Sequence, residues 1–258
     1  MCLLAWNWQP QADMPLLLVS NRDEFYDREA TALHWWGSGS SVLAGRDRQA
    51  GGTWLGLSRD GRLAALTNCR SNTPPSVDKS SRGKLVSDFL ESTLSGADFL
   101  DQVSRTVANY NPFTLLVFDQ KTLLGLESRE AKAVTMEPGI GALSNAGINT
   151  PWPKLLCLKT GLKTELDQDD RRIPAIDHLR HLLHNTAVAP EEMLPKTGLA
   201  PELERALSPI FITSPRYGTR ASSVIALQRN HALFSEETYG PAGVQGRRSF
   251  TFFYATNN

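Results

Sequence analysis

The N-terminal stretch constrains the fold of this 258-residue chain more than any other segment. Two apolar runs, CLLAWNW (2–8) and LLLVSN (16–21), are separated by QPQADMP, which is rich in turn formers. Such runs predict a β-hairpin that begins at residue 2. A hairpin dictates which residues meet. With Trp8 opposite Leu16, paired numbers sum to 24 and Cys2 lies opposite Arg22. A slip of one residue sets it opposite Asn21, with Asp23 a diagonal neighbour. Either register brings the first thiol beside SNRDEFYDR (20–28), a charged stretch that leaves the apolar run without a Gly or Pro to make a turn.

Beyond the hairpin, HWWGSGSSVLAGRD (34–47) reads as a loop with a short strand at 42–44. GGTWLGLSRDGRLAALTN (51–68) reads as a second hairpin, its strands flanking an Asp-Gly turn. Apolar residues at helical spacing predict helices over 82–93 and 97–109, the second capped by Ser95. Short strands follow at 113–119, 122–128, 132–137 and 139–145. Helices are expected at 152–166, 175–186 and 201–208. Strands at 219–228, 231–239 and 247–256 close the chain, the last as a buried terminal strand. Strand runs and helix runs are segregated. That pattern predicts an α+β protein of antiparallel sheets with helices layered on them, not a doubly wound parallel sheet. With no repeat, low-complexity tract or linker, residues 1–258 form one domain.

Charge narrows the partners. Lys+Arg and Asp+Glu both number 27, so the chain lacks the basic excess of a nucleic-acid binder and a polybasic membrane signal. No run reaches the ~18 apolar residues of a membrane span, and the N-terminus has no basic region of a secretory signal. A soluble, cytoplasmic protein without stable membrane insertion is expected. Cys2, Cys69 and Cys157 are odd in number and show no C-x-x-C spacing, which argues against a disulfide framework or thiolate zinc site. His178, His181 and His184 drift around their helix, so a polar face fits better than a metal stripe. His34 and His231 read as structural. Cys69 reads as a packing residue on the strand face opposite Asn68, and Cys157 as helix core. Gly51 and Gly52 lie outside any phosphate-binding pattern and suit a strained turn or a close backbone approach. Of six tryptophans, most fill the core, while Trp35, Trp36 and Trp54 lie where a pocket would be lined. No cofactor or metal is called for, and the sequence implies no oligomeric state.

Chemistry concentrates at residue 2. Removal of Met1 ahead of a small residue leaves a chain that begins with cysteine. Its thiol (pKa ~8.5) and its α-amine (~7.7–8.0) have similar proton affinities, so one residue supplies nucleophile and base. Arg22 can favour thiolate and bind an oxyanion, Asp23 can hold the α-ammonium, and Asn21 can donate a hydrogen bond. The alternative is a structural Arg-Asp pair at a strand end, with Cys2 as apolar filler.

SNRDEFYDR, LAGRDRQAGGTWLGLSRDGRLAALTN, SSRGKLVSDFL, SNAG…PWPK and SPRYGTRASSVI, in that order, resemble the NRDE family, the Transport and Golgi organisation family named for its Asn-Arg-Asp-Glu motif. The resemblance runs from residue 2 to about 256. It implies a four-layer αββα sandwich of the N-terminal-nucleophile hydrolase superfamily, with kinship to choloylglycine hydrolases and penicillin V acylases. It further implies Cys2 as nucleophile, with Arg22 and Asp23 in place of an Arg and Asp that those acylases separate. Asn68 then resembles the oxyanion-hole Asn, Asn145 a second active-site Asn, and Arg220 the Arg that completes the site. The implied reaction is hydrolysis of a small amide through an acyl-thioester. The rival implication is a non-catalytic protein that binds or traffics a small ligand, haem or a lipid, on the same fold.

Overall fold

In the computed structural model, residues 2–37, 39–168 and 175–255 are described. In chain order the strands and helices are β1 (Cys2–Trp8), β2 (Leu16–Phe25), β3 (Ala30–Trp35), β4 (Val42–Asp47), β5 (Leu55–Ser58), β6 (Leu63–Asn68), α1 (Gly83–Glu91), α2 (Gly96–Ser104), β7 (Phe113–Phe118), β8 (Leu123–Glu127), β9 (Lys132–Thr135), β10 (Gly139–Ser144), β11 (Gly147–Ile148), α3 (Pro153–Gln168), α4 (Ile176–Leu183), α5 (Pro201–Ala206), β12 (Tyr217–Leu227), β13 (His231–Gly240) and β14 (Gly243–Phe253). One seven-stranded sheet has the order β11-β10-β1-β2-β12-β13-β14, and the other is a meander from β3 to β9. All named strand pairs are antiparallel.

Three apolar clusters define four layers. Trp6, Leu18, Leu57, Phe118 and Phe234 fill the space between the sheets. Phe89, Leu100, Phe113 and Leu115 join α1 and α2 to the second sheet. Leu3, Val19, Leu155, Leu179 and Val224 join α3 and α4 to the first. The chain therefore forms a four-layer αββα sandwich of two antiparallel sheets flanked by helices. Strands covered on both faces need apolar residues at both parities, which explains the unbroken CLLAW and LLLV runs. Within β1, Cys2, Leu4, Trp6 and Trp8 face the other sheet, while Leu3 and Ala5 face α3.

Four local expectations are corrected. Residues 34–47 are not a loop with a short strand: β3 ends at Trp35 and β4 runs on to Asp47. Their alternation was obscured because β3 is an edge strand with a single fully buried residue, Leu33. The final strand β14 is largely exposed rather than buried. It lies at the sheet edge, where only Phe250 and Phe252 pack against the core. Cys157 is exposed rather than core, because the buried stripe of α3 runs through Lys154, Leu155, Leu158 and Leu162. The expected helix 97–109 ends as an α-helix at Ser104, and its Ser95 cap accepts a hydrogen bond from the Asp98 N–H.

One close approach shapes the end of the sandwich. The loop between β4 and β5 lies against the start of α1, where the Thr53 N–H donates to the Gly83 carbonyl at 3.1 Å. A Cβ on Gly52 would sit 2.4 Å from the Gly83 carbonyl carbon. Backbone on both sides leaves no flexible tip to yield. Gly52→Ala is expected to destabilise the fold by about 1–3 kcal/mol, read as a lower urea midpoint at unchanged slope.

Candidate active site

Cys2 pairs with Arg22, the register in which paired numbers sum to 24. Directly paired residues share a sheet face, so Cys2 and Arg22 both look into the space between the sheets, and Glu24 follows at the same parity. There they line a cavity of about 450 Å³ that also receives Asp47, Trp54 and Asn68 from the second sheet and its loops. The Arg22 guanidinium lies over the Trp54 ring at 4.2 Å and 3.6 Å from Asp47. Asp47 accepts from Arg28 Nε at 2.7 Å and from the backbone N–H groups of Gln49 and Ala50. Burial pushes the Asp47 carboxyl up, but Arg28 and the Ala50 N–H outweigh it and hold it below the usual range.

With Met1 in place, the Cys2 thiol is pushed up to about 11, first by burial and further by Asp23, against the pull of the positive amino terminus and then of Arg22. At neutral pH it rests as a thiol and needs a base to become a nucleophile.

Asn68 ends β6 on the cavity wall, and its side chain makes no hydrogen bond to a described residue, so its amide is available as a donor. Asn145, just beyond β10, donates from Nδ2 to the Asn68 carbonyl at 2.7 Å, and its own carbonyl accepts from the Arg70 N–H. It ties the ends of the two sheets together and positions Asn68 rather than lining the cavity.

Asn21 and Asp23 have the opposite parity to Arg22 and point toward the helices. Asn21 Nδ2 donates to the carbonyls of Leu183 and Ile210 at 2.8 and 2.9 Å, and its Oδ1 accepts from Ser222 Oγ at 2.6 Å. The expected active-site donor is thus committed to holding β2 against α4, on the face away from the thiol. Asp23 is buried and accepts from Thr219 Oγ1 at 2.8 Å. Burial raises its carboxyl, and Lys154 opposes that. Register sets Asp23 one step beyond the Cys2–Arg22 pair, at the strand end where the Cys2 nitrogen lies. Lys154 is itself buried, which lowers it to about 8 against the attraction of Asp23. Arg70 and Glu204 complete this buried charge cluster with a 2.6 Å contact.

Arg220 does not complete the cavity. It occupies a bulge in β12, between Thr219 and Ala221. Its Nη1 donates to the carbonyls of Phe25, Tyr26 and Arg28, and its Nε to that of Tyr239. Arg220 clamps the turn after β2 and thereby sets where Glu24 and Arg28 stand. Among the described residues no group of three or more His, Cys, Asp or Glu is placed to hold a metal ion.

A sequence profile described as Transport and Golgi organisation 2 matches residues 1–241. The chain belongs to this family. It is 34% identical to the Transport and Golgi organization protein 2 homolog of Bos taurus, over 92% of this chain and 93% of that protein. The Homo sapiens homolog is 32% identical over the same shares. Among solved structures, the mutant C2A conjugated bile acid hydrolase from Clostridium perfringens superposes with a TM-score of 0.51 at 10% identity, over 100% of this chain and 97% of that one. That likeness carries the fold alone.

Family motifs led to most of the cavity but left several of its residues without a role. Asp47 and Arg28 lie in LAGRD and SNRDEFYDR, yet nothing in the sequence shows that they pair across the two sheets. Lys154, in PWPK, looks like a solvated lysine until the fold buries it.

Two predictions follow from these placements. Asn21→Ala would orphan two buried carbonyls and is expected to cost about 2–4 kcal/mol while leaving Cys2 reactivity unchanged wherever the variant is folded; urea unfolding and thiol labelling measure both. Glu236, on β13, is buried; Oε1 accepts from the Leu33 N–H at 2.7 Å and Oε2 has no partner among the described residues. Burial raises its carboxyl from 4.5 to about 7, opposed by the Leu33 N–H and Arg22. The folded state then holds this proton more tightly than the unfolded chain. The group's contribution is greatest below pH 4.5 and is lost as pH rises to 7. Relative to wild type, Glu236→Gln should gain on the order of 3 kcal/mol between those two pH values, read from urea unfolding at each.

Proposed function

We propose that this protein is an N-terminal-nucleophile amidohydrolase that uses Cys2 to cleave the C–N bond of a small amide. The observation that carries this reading is the Cys2–Arg22 pair opening onto a cavity whose opposite wall presents the uncommitted Asn68 amide. Loss of Met1 frees the Cys2 amine beside its own sulfur. The amine takes the thiol proton as Sγ bonds to the substrate carbonyl carbon, and Asn68 and Arg22 donate to the oxyanion. The tetrahedral species collapses, the C–N bond breaks, and the ammonium returns its proton to the departing nitrogen. Water then adds to the thioester, its proton passing to the same amine. The C–S bond breaks, releasing a carboxylic acid and restoring the thiol. Asp23 holds the ammonium form, backed by Lys154.

A thiol held near 11 favours a second reading while Met1 stays in place: a cavity that binds a ligand without chemistry. Haem and lipids fit that alternative less well than a polar molecule does, because Arg22, Glu24, Arg28 and Asp47 charge the lining. No helix among the described residues is long and apolar enough to cross a membrane. With three free cysteines, we assign the protein to a reducing, cytoplasmic setting.

Intact-mass analysis after exposure to activated N-acyl amide probes tests the enzyme reading. The expected result is a chain that starts at Cys2, with an acyl adduct on its N-terminal peptide. Cys2→Ala should abolish the adduct, and Cys2→Ser should lower turnover by at least about 10³-fold. A functional protein that retains Met1, or labelling undiminished in Cys2→Ala, would overturn it.

A further inference from the structure

The cavity is electropositive although the chain as a whole carries no net formal charge. Four cationic side chains line it, Arg22, Arg28, Lys79 and Arg82, against two carboxylates, Glu24 and Asp47. Both carboxylates are engaged. Asp47 lies 2.7 Å from Arg28 and 3.6 Å from Arg22, and Glu24 lies 4.0 Å from Arg28. Arg82 has no acidic partner among the described residues. Its Nη1 donates to the Pro112 carbonyl at 3.2 Å, while Nε and Nη2 find no acceptor there.

Arg82 also stands at the N-cap of α1, a nine-residue helix with no side-chain cap and no acid in its first turn. Gly83, the first helical residue, reaches the cavity wall. The positive end of that helix and its free N–H groups add to the field of the guanidinium. Independently, Arg22 is 5% exposed, faces the same space, and its guanidinium makes no hydrogen bond with any described residue. Asp47 at 3.6 Å and the Trp54 face balance its charge, yet its N–H donors find no hydrogen-bond acceptor among the described residues. An oxyanion entering the cavity would satisfy both arginines.

We propose that the cavity recognises an acidic substrate, in which an oxyanion group, carboxylate or phosphate, seats on Arg82 and the N-terminus of α1 while the scissile amide lies at Cys2. The inference builds on the amidohydrolase reading and names its substrate class. About 450 Å³ lies in the lower half of the ~300–1,000 Å³ typical of small-molecule pockets, so the substrate is compact. The uncommitted face of Arg82 matches the planar, two-oxygen edge of a carboxylate or phosphate.

Calorimetric titration of the full-length protein with glutarate, propyl phosphate and neutral glutaramide tests this. At least one anion should bind saturably and glutaramide should not; the tighter anion identifies the oxyanion. Arg82→Gln should weaken that binding by roughly 10-fold or more, Arg82→Lys by less, and Lys163→Gln, on the outer face of α3, not at all. Added salt should weaken it further. No saturable anion binding by the wild type, equal binding of glutaramide, or affinity unchanged in folded Arg82→Gln would overturn the proposal. The two readings fail separately. Acyl-Cys2 formation without anion binding sinks the substrate class alone, whereas anion binding without Cys2 chemistry sinks the hydrolase alone.

Discussion

The pairing of β1 with β2 governs the rest of the molecule. Both faces of the pair are covered, one by the second sheet and the other by α3 and α4. A shift of one residue would send Trp6 and Leu18 among the helices and reverse every neighbour. The apolar content of seven residues on each strand thus locks a polar consequence at the open end: Cys2 beside Arg22, at the mouth of the sandwich.

That lock divides the Asn-Arg-Asp-Glu motif between two environments. Arg22 and Glu24 face the cavity, while Asn21 and Asp23 face the helical layer, where Asn21 is saturated by Leu183, Ile210 and Ser222. Four consecutive polar residues at the end of a core strand are tolerable only because each finds a different compensating group. Arg22 has Asp47 and the Trp54 face, Asp23 has Thr219 and the field of Lys154, and the turn beyond is pinned by Arg220. Density of charge here reflects two separate buried polar networks back to back across one strand.

The layer architecture and the N-terminal hairpin were legible in the sequence, because continuous apolar runs, strong turn signals and the segregation of helices from strands are local properties; the register stayed open by one residue until the structure set Cys2 opposite Arg22. Cys2, Arg22 and Asn68 could be named from motif and strand-end position. What stayed hidden depends on parity and on distant partners. Asn21 and Arg220 carry the residue types of a catalytic site, yet a strand's alternation turns one away and a bulge in β12 gives the other to backbone carbonyls. Arg28–Asp47 and Asp23–Lys154 join residues far apart in the chain, and no local pattern announces such pairings. Cys157 and β14 show the reverse failure, where apolar character suggested burial at positions that the helix stripe and the sheet edge leave to solvent.

The hydrogen bond from Asn145 to the Asn68 carbonyl makes the geometry of the cavity a gauge of how the two sheets are offset. Sulfur and amide donor belong to different sheets, so their separation is inherited from the interleaved side chains between them. Gly141 accepts the Trp6 ring so closely that an added Cβ would meet it at 2.3 Å. Any swelling in that interior would be transmitted along rigid strands and expressed at the rim as a displaced donor, so that residues remote from the sulfur set its reach.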